Sequence, residues 1–441
     1  FGYLSDEYIS SGMEATRIAD IANKVGQDVL ICGWLYNRRE SGAIQFLLIR
    51  DGSGMIQAVV TKENSSVFNK ALSLTQESSL KAFGTVREDK RAPTGYELKI
   101  KELEIIHLAE EYPISLKEHG IGFLMDHRHL WIRSSKQIPV LKIRHEVMKA
   151  IRDFFDERGF IATEAPILTP TSVEGTTTLF EVNYFDDKAY LSQSGQLYLE
   201  ALAAALGKVY WIGPAFRAEK SKTRKHLTEF WMAEAEMAFC DHECNLKIQE
   251  ELVKFIVRRC LEKRAQELKE LERDTTLLEK EISGPFARIT YAEALEVLRE
   301  KNLALPWGED FGAPHEEALG DYYEKPVFVE LWPASMKPFY TEPVSGNEEL
   351  VFAADLIAPE GYGEIIGGSQ RVFDKQKLES KLQAQNLPKA PYEWYLDLRR
   401  YGSVPHGGFG LGVERTIAWV CGLEHLREAI PFPRQLHRLT P

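Results

Sequence analysis

The N-terminal quarter of the chain alternates between apolar and polar side chains in short runs, a pattern typical of β-strands. Turn signals such as Asp51-Gly52 and Ser53-Gly54 separate the runs. The predicted strands are VLICGWLYNRR, AIQFLLIRDGSG, MIQAVV, LKAFGTVR and YELKIKELEII. Five short strands of this kind predict a small closed barrel over residues 13–110.

Apolar residues change to helical spacing from about Ile138 onwards. The run VLKIRHEVMKAIRDFFDERGF predicts an amphipathic helix that stops at Gly159, a suitable C-terminal cap. Two predicted strands, KVYWIGPAF and FWMAEAEMAF, precede a helical pattern with a charged face, NLKIQEELVKFIVRRCLEKRAQELKELERD. Helices and strands continue to alternate towards the C-terminus, which predicts a second, mixed domain over residues 136–441.

The two patterns together predict an α+β protein with a linker between its domains. Residues 111–135 combine charges, His and Pro without periodicity and are interpreted as that linker. Residues 1–12 precede Met13, the first methionine, and are interpreted as an extension. The barrel fits the oligonucleotide-binding (OB) type, and a barrel without a ligand remains open on the pattern alone.

Composition and charge narrow the classes of function. No run of eighteen apolar residues and no signal-peptide pattern occurs, so we expect a cytoplasmic protein without a membrane partner. A formal net charge of −12 argues against non-specific nucleic-acid binding, and no DNA partner is predicted. The chain has five scattered cysteines, an odd number, so we expect no disulfide framework. Cys240, His242 and Cys244 lack the spacing of a zinc site and are interpreted as structural or incidental.

A basic hairpin is predicted between Phe216 and Phe239, FRAEKSKTRKHLTEFWMAEAEMAF. Arg217 and Glu219 are two residues apart, so we expect them to project from one face of the first strand. The hairpin offers a planar guanidinium to a phosphate and an aromatic ring, Phe230, on which a base can stack. A surface hairpin with exposed charge is the alternative that composition alone favours.

Two glycine-rich segments contain further candidate residues. GGFGLGVERTIAWV begins at Gly407 and permits close backbone approach before a helix that opens with Glu414 and Arg415. It lacks the Lys-Ser/Thr of a P-loop, so Arg415 would hold a phosphate as a fixed charge. DLIAPEGYGEIIGGSQR contains Asp355 and Glu364, whose oxygens suit Mg²⁺ that bridges nucleotide phosphates, although either acid alone is more often a surface residue.

These three segments together resemble the motifs of the class II aminoacyl-tRNA synthetases, and the resemblance runs from about Met13 to the C-terminus. It implies a catalytic domain in which helices flank an antiparallel sheet, with ATP as a substrate and Mg²⁺ as a cofactor. It also implies a homodimer whose interface includes Pro166 in FIATEAPILTP. A barrel before the catalytic domain is similar to the subgroup for aspartate, asparagine and lysine.

The resemblance implies a role for each motif residue at the ATP site. In the family, the Arg of F-R-x-E holds the α-phosphate, its Glu holds the adenine amino group, and the third-motif Arg contacts the γ-phosphate. Attack on the α-phosphorus needs neutralised phosphates and alignment more than proton transfer, so Arg217, Glu364 and Arg415 are expected to carry catalysis. The implied ATP site is Arg217, Glu219, His226, Phe230, Glu364, Gly412 and Arg415, with Asp355 and Glu364 as metal ligands.

SQSGQLYLEA, from Ser192 to Ala201, resembles the asparagine-specific members of the family. Aspartate enzymes carry Q-S-P-Q-L-x-K, whose Lys pairs with the substrate carboxylate, and Leu199 stands at that position here. Removing the counter-ion of a buried charge costs about 3–5 kcal/mol, whereas a neutral amide tolerates leucine. Simple core packing is the alternative for Leu199, and it still leaves the lysine absent. L-asparagine is therefore the expected substrate.

The implied amino-acid site consists of Glu174, Ser194, Gln196, Glu234, Glu236 and Arg371. Arg371 matches the family arginine that holds the side-chain oxygen of the substrate. An amide NH₂ then needs an acceptor, for which Glu236 is the first candidate and Glu234 the second. Glu174, Ser194 and Gln196 match family positions around the α-amino group, and ordinary polar packing is the alternative for them. Gly367 replaces a serine that is a magnesium ligand in aspartate enzymes, which leaves the number of metal ions open.

The barrel contains the implied anticodon site. Phe46 and Gln57 match an aromatic residue that stacks on the central uracil and a glutamine that reads its edge. Arg38 and Arg39 would contact the phosphate backbone. A core position is the alternative for Phe46, because it lies in the alternating run QFLLIRD.

The expected function is ATP-dependent activation of asparagine and its transfer to tRNA-Asn. A non-discriminating aspartate enzyme is one alternative, and Leu199 argues against it. A tRNA-independent, asparagine-making paralogue is another, although such relatives usually lack the barrel. A plain single-stranded nucleic-acid binder would account for the barrel and leave the larger domain unexplained.

Overall fold

The computed structural model describes residues 13–115, 117–173, 178–220 and 225–441. The chain divides into two compact units, one that ends at Gly120 and one that runs from Ile121 to Pro441. The predicted extension, residues 1–12, lies outside the described residues. Within the described ranges, no helix is long and apolar enough to cross a membrane.

The first unit contains the predicted five-stranded barrel. Its elements are β1 (Asp28–Ser41), β2 (Ile44–Arg50), β3 (Met55–Thr61), α1 (Ser65–Ser73), β4 (Ser79–Glu88) and β5 (Tyr96–His107). The strand order is β1-β2-β3-β5-β4, and antiparallel pairing of β4 with β1 closes the barrel. Alternate side chains of β2, such as Leu47 and Ile49, are fully buried. Phe46 lies on the opposite face of β2 and is half-buried, so it is not part of the barrel core.

The second unit is built from helices around a large sheet. Its first half contains α2 (Ile121–Asp126), α3 (Arg128–Trp131), α4 (Gln137–Glu157), β6 (Ile161–Ala162), β7 (Leu168–Thr169), β8 (Glu181–Tyr184), β9 (Asp187–Leu191), α5 (Gln196–Leu206), β10 (Lys208–Phe216), β11 (Glu229–Ala238), α6 (His242–Lys263), α7 (Ala265–Glu270) and α8 (Thr275–Glu281). Its second half contains β12 (Ala287–Thr290), α9 (Tyr291–Glu300), α10 (Ala313–Tyr323), β13 (Val327–Pro333), β14 (Pro343–Val344), β15 (Asn347–Ala358), β16 (Gly363–Arg371), α11 (Lys375–Ala384), α12 (Glu393–Arg400), β17 (His406–Gly412) and α13 (Val413–Cys421).

The large sheet has the strand order β12-β13-β15-β16-β17-β11-β10-β6, and β14 pairs with β15. Pairing is antiparallel from β13 to β10, as predicted, but the pairs at both edges are parallel. The reason lies in the connections, because parallel strands need a crossover segment. Helices α9 and α10 connect β12 to β13, and α5 lies between β6 and β10.

The predicted helix that ends near Gly159 is α4, which packs with α6 against the sheet. Gly159 has a φ of +74°, the left-handed conformation that a helix C-terminal glycine adopts readily. Phe155 of α4 stacks on Tyr210 of β10, with 4.8 Å between ring centroids. The helical pattern predicted from Asn245 onwards is divided into α6 and α7 at Arg264.

Cys240 and Cys244 form a disulfide bond, although none was expected from the sequence. The bond spans the start of α6, with 5.4 Å between the two Cα atoms. Sequence spacing missed this pair because the two residues become neighbours only once Asp241 caps the helix by accepting from the Cys244 N–H. His242 Nε2 lies 2.7 Å from Glu330 Oε2, so the imidazole contacts that carboxylate.

Candidate active site

A cavity of about 950 Å³ lies over the central strands β11, β16 and β17 of the sheet. The structure brings together residues from SQSGQLYLEA, from the basic hairpin and from the two glycine-rich segments. The predicted residues that line the cavity are Ser194, Gln196, Arg217, Glu219, His226, Phe230, Glu234, Glu236, Asp355, Glu364, Arg371, Gly412 and Arg415. The prediction for Glu174 lies outside the described residues.

Arg415 reaches one end of the cavity from the first turn of α13. Its Nη1 donates a 2.5 Å hydrogen bond to the backbone oxygen of Glu364. The preceding residue, Glu414, is buried and accepts from Arg144 Nη1 at 2.7 Å and from the Trp231 N–H at 2.9 Å. These bonds fix the start of α13 to β11, so the guanidinium of Arg415 has a defined position at the cavity.

Further charged side chains lie at the same end of the cavity as Arg415. The side chain of Glu316, from α10, accepts from the Glu364 N–H at 3.3 Å. Burial raises the pKa of Glu316, and the charge of Arg415 opposes that shift. Burial lowers the pKa of Lys225, which the nearby carboxylate of Glu316 counteracts. The cavity end therefore combines two basic side chains with acidic ones, an arrangement that suits a polyphosphate with metal ions.

The hairpin differs from its prediction in one respect. Strand β10 ends at Phe216, so Arg217 and Glu219 do not project from one face of a strand. The Arg217 N–H still pairs with the Thr228 oxygen at 3.0 Å, but the Ala218 N–H donates to the oxygen of Thr178 at 2.8 Å. This bond takes the chain out of the β10–β11 ladder.

The side chains of the hairpin nevertheless converge on the cavity. The guanidinium carbon of Arg217 lies 5.4 Å from the centroid of the Phe230 ring. His226 Nε2 is 3.4 Å from Glu219 Oε2. Burial lowers the pKa of His226, and the nearby cations Arg415 and Arg217 add to this effect. A flat ring and a guanidinium thus lie side by side, as the stacking of a base next to a phosphate requires.

The two predicted metal ligands lie on either side of Gly367. A Cβ added to Gly367 would be 2.9 Å from Glu364 Oε1 and 3.7 Å from Asp355 Oδ1, so glycine keeps the space between them open. Burial raises the pKa of Asp355 to about 7, although Lys337 Nζ donates to its Oδ2 at 2.5 Å. Among the described residues, no group of three or more His, Cys, Asp or Glu could hold a metal. Two carboxylates fit Mg²⁺ when nucleotide phosphates supply the other ligands.

At the other end of the cavity, Arg371 and Glu236 form a buried pair. Arg371 Nη2 donates to Glu236 Oε1 at 2.6 Å, and Nε donates to Oε2 at 3.3 Å. Arg371 Nη1 donates to Ser369 Oγ at 2.7 Å. Gly408 lies opposite Glu236 on β17, where a Cβ would be 2.2 Å from the Glu236 carboxylate. The absence of a side chain at Gly408 therefore leaves room for this carboxylate.

Glu234 has a different role from Glu236, although both project from β11. Its Oε2 accepts from the Gly195 N–H at 2.8 Å, just before α5. Ser194 and Gln196 flank that glycine, and both line the cavity. Glu234 therefore fixes the backbone around the two predicted α-amino contacts, whereas Glu236 holds Arg371.

Leu199 lies outside the cavity lining and is fully buried. It packs in an apolar cluster with Ala203, Val209 and Trp211. Core packing, the alternative in the sequence analysis, describes its contacts. The position therefore supplies no cation to the neighbouring cavity.

In the barrel, three of the predicted residues lie together. The guanidinium carbon of Arg39 lies 4.3 Å from the centroid of the Phe46 ring, and its Nη2 donates to Gln57 Oε1 at 3.3 Å. Arg38 faces elsewhere, since its Nη1 donates to the Ala71 oxygen at the end of α1 at 3.1 Å. The outer face of β1–β3 thus presents an aromatic ring beside a cation and an amide.

Comparison with known proteins identifies the family. Residues 121–436 match the model of the class II tRNA synthetases (D, K and N), and residues 29–106 match the OB-fold nucleic acid binding domain. The chain belongs to the class II tRNA synthetases. A curated asparagine–tRNA ligase of Pelotomaculum thermopropionicum is 56% identical over 431 residues, which cover 97% of this chain and all of the relative.

Solved class II synthetase structures agree with this assignment. The asparaginyl-tRNA synthetase of Pyrococcus horikoshii, complexed with asparaginyl-adenylate, is 44% identical with a TM-score of 0.94 and covers 97% of this chain and 100% of that one. The enzyme of Entamoeba histolytica, also complexed with asparaginyl-adenylate, is 33% identical with a TM-score of 0.89 over 97% of this chain and 100% of that one.

Sequence patterns did not single out three charged residues at or behind this synthetase cavity. Lys337 lies in the segment MKPFY, in the loop that follows β13. Glu316 lies on a helix without a motif. Glu200 directly follows Leu199 and looks like an ordinary charged helix position.

Proposed function

We propose that this protein is an asparagine–tRNA ligase that activates L-asparagine with ATP and transfers it to tRNA-Asn, with release of AMP. The observation that carries the proposal is the buried Arg371–Glu236 pair in the cavity. The guanidinium can donate to the side-chain oxygen of asparagine, and the carboxylate can accept from its NH₂ group. A site that pairs both halves of an amide discriminates strongly against analogues that lack one half.

The same pair disfavours aspartate. An aspartate carboxylate in this position would bring a second anion towards Glu236 in a buried environment. Leu199 supplies no counter-ion, since it lies in an apolar cluster. This argument speaks against the non-discriminating aspartate enzyme.

The other end of the cavity has the residues for adenylate formation. We propose that Arg217 holds the α-phosphate, that Arg415 holds the γ-phosphate, and that His226 lies near the terminal phosphates. Phe230 would stack on adenine and Glu219 would accept from its amino group, with Gly412 allowing close approach. Substrate carboxylate then attacks the α-phosphorus in line, and pyrophosphate leaves. Mg²⁺, held by Asp355 and Glu364, would neutralise phosphate charge when bound.

We propose that the barrel binds the anticodon of tRNA-Asn. Phe46 would stack on the central uracil, Gln57 would read its edge, and Arg39 would contact backbone phosphate. Arg38 contributes less in this proposal, because its guanidinium binds the end of α1.

A homodimer completes the proposal. Ile161, Ile167 and Leu168 are exposed apolar side chains around Pro166, next to the edge strand β6. An exposed apolar segment beside a sheet edge suits an isologous interface with a second copy. We place the enzyme in the cytoplasm, where tRNA is charged.

The decisive experiment charges tRNA-Asn and tRNA-Asp transcripts with asparagine and with aspartate, each supplied in turn. Asparagine on tRNA-Asn alone is the expected product. Aspartate on either tRNA would overturn the assigned specificity, and adenylate without any charging would favour the tRNA-independent paralogue.

A further inference from the structure

A second buried charge cluster lies behind the Arg371–Glu236 pair, centred on Glu200 of α5. The Glu200 side chain is fully buried and does not line the cavity. Its carboxylate accepts from Arg399 Nη2 at 2.6 Å, from Tyr395 Oη at 2.8 Å and from His406 Nε2 at 2.9 Å. Arg399 is held in turn by a 2.9 Å bond from its Nε to the Val372 oxygen. We call Glu200, Tyr395, Arg399 and His406 the Glu200 cluster.

The Glu200 cluster contacts both ends of the proposed amino-acid site. Gln196, which lines the cavity, donates from its Nε2 to Glu200 Oε1 at 3.2 Å. His406 lies directly opposite Arg371 in the β16–β17 ladder. Two residues further along β17, Gly408 lies opposite Glu236. A change at Glu200 therefore reaches the substrate contacts without touching substrate itself.

His406 connects Glu200 to the start of β17. Its Nδ1 lies 2.8 Å from the Val404 oxygen. Its Nε2 lies 2.9 Å from a carboxylate oxygen of Glu200. The His406 ring therefore bridges the Glu200 carboxylate to the start of β17.

The charges of the cluster and of the pair influence each other. Burial would raise the pKa of Glu200, but Arg399, His406 and Arg371 outweigh it and lower the pKa. Burial raises the pKa of Glu236, and the charge of Glu200 raises it further against the opposing effect of Arg371. Glu200 is thus a fixed anion in electrostatic range of the pair that would bind the substrate side chain.

We propose that Glu200 is a positioning residue that sets the preference for asparagine over aspartate, an inference that rests on the proposed function. Two buried carboxylates, Glu200 and Glu236, face two buried guanidiniums, Arg371 and Arg399. A neutral amide leaves this balance unchanged. An aspartate carboxylate adds an anion to a region where both guanidiniums already have an anionic partner.

The test measures kcat/KM for asparagine and for aspartate in amino-acid-dependent ATP–pyrophosphate exchange. Glu200→Gln keeps the shape of the side chain and removes its charge, so the aspartate-to-asparagine ratio should rise about tenfold. One unit charge roughly 10 Å away has an effect of this order at an effective dielectric constant of about 20. Arg399→Met removes the opposite charge and should lower the same ratio.

Two further variants separate charge from packing. Tyr395→Phe removes a neutral donor from Glu200, and we expect the ratio to stay at its wild-type value even if KM for asparagine rises. The double variant Glu200→Gln/Arg399→Met loses one charge of each sign and should return to the wild-type ratio. Thermal unfolding of each variant reports whether it is folded, and if Glu200→Gln is not, Arg399→Met and the double variant decide.

The possible outcomes are distinguishable. A wild-type protein without asparagine-dependent exchange would overturn the proposed function itself. A wild-type protein that prefers asparagine, with the same ratio in every folded charge variant, would overturn the role of Glu200 alone. Equal shifts in Tyr395→Phe and Glu200→Gln would assign the effect to packing and also overturn it.

Discussion

The two units of the chain build their candidate sites in different ways. In the barrel, Arg39 and Gln57 are 18 residues apart, and they flank Phe46 on the outer face of neighbouring strands. In the second unit, Arg371 and Glu236 are 135 residues apart, and Glu200 and Arg399 are 199 residues apart. The barrel site is a half-buried surface, whereas Arg371 and Glu236 retain 4% and 1% of their side-chain exposure.

This difference has an energetic consequence. A half-buried stacking residue such as Phe46 contributes mainly its own contact with a base. Removing one member of a buried ion pair leaves the other charged and desolvated, which costs about 3–5 kcal/mol. Variants of the buried Arg371–Glu236 pair should therefore abolish chemistry, and variants at the barrel site should weaken tRNA use alone.

The largest effect is expected for Arg371→Met. It leaves Glu236 without its counter-ion and removes the proposed donor to the substrate oxygen, so asparagine-dependent exchange should fall several hundredfold or more. Arg400→Met is the matched control, because Arg400 is the neighbour of Arg399 but its ion pairs with Asp397 and Glu393 are at the surface. An equal loss of exchange in the control would contradict the assignment.

Gly408→Ala should have the next largest effect. The added Cβ would lie 2.2 Å from the Glu236 carboxylate and 2.4 Å from the Ala235 oxygen, so one of them must shift. Overpacking of this kind costs about 1–3 kcal/mol, which predicts a ten- to hundredfold fall in kcat/KM for asparagine. Gly122→Ala is the control, since a Cβ there would meet nothing within 4 Å. A Gly408→Ala enzyme with unchanged kcat/KM for asparagine would contradict the proposal that Glu236 contacts the substrate.

The third prediction concerns the barrel site, where Phe46→Ala removes the aromatic ring. Loss of stacking costs about 1–3 kcal/mol per base, so KM for tRNA-Asn should rise about five- to a hundredfold. Exchange in the absence of tRNA should not change, and Phe46→Tyr should retain most of the affinity for tRNA. A fall in exchange would show that the two sites are not independent.

The smallest effect concerns an ion pair of the second unit that lies away from the cavity lining. Burial would raise the pKa of Glu330, but bonds from His242 and Arg288 lower it to about 2. Because the folded pKa is below the unfolded value, this stability is present above about pH 4.5 and is lost as the pH falls towards 2.

Glu330→Gln should therefore lower the free energy of unfolding by about 1–2 kcal/mol at neutral pH, with allowance for solvent screening. The difference from wild type should be smaller at pH 3 and should disappear only as the pH falls towards 2. Chemical denaturation at pH 7 and pH 3 measures both values. If the free energy of unfolding differs between Glu330→Gln and wild type by the same amount at both pH values, the difference does not arise from the charge of Glu330.

The elements of the fold that depend on residues close together in sequence could be predicted. The five barrel strands, the helix that ends near Gly159 and the β10–β11 hairpin follow from residue spacing, because period and turn signals are local properties. The parallel edge pairs of the sheet depend on crossover connections, and sequence spacing does not specify which strands meet across them.

The site was predictable only as a set of motif residues. Arg217, Glu364, Arg371 and Arg415 were identified from motifs, and the structure places them around one cavity. The different roles of Glu234 and Glu236 depend on their partners, Gly195 and Arg371, which are distant in sequence. The positions of Lys337 and Glu200 carry no local signal, because an isolated charge in a loop or on a helix usually faces solvent.

Glu234 and Glu236 of β11 also determine which length of amino acid fits the cavity. Residues two apart on a strand are roughly 6.7 Å apart, and both Glu234 and Glu236 line the cavity. Through Gly195, Glu234 fixes the backbone that would bind the α-amino group, while Glu236 fixes the arginine that would bind the side-chain end. A single rigid strand thus sets the distance between both ends of the substrate. Glutamine, which differs from asparagine by one methylene group, would be rejected by its length, with no contribution from charge.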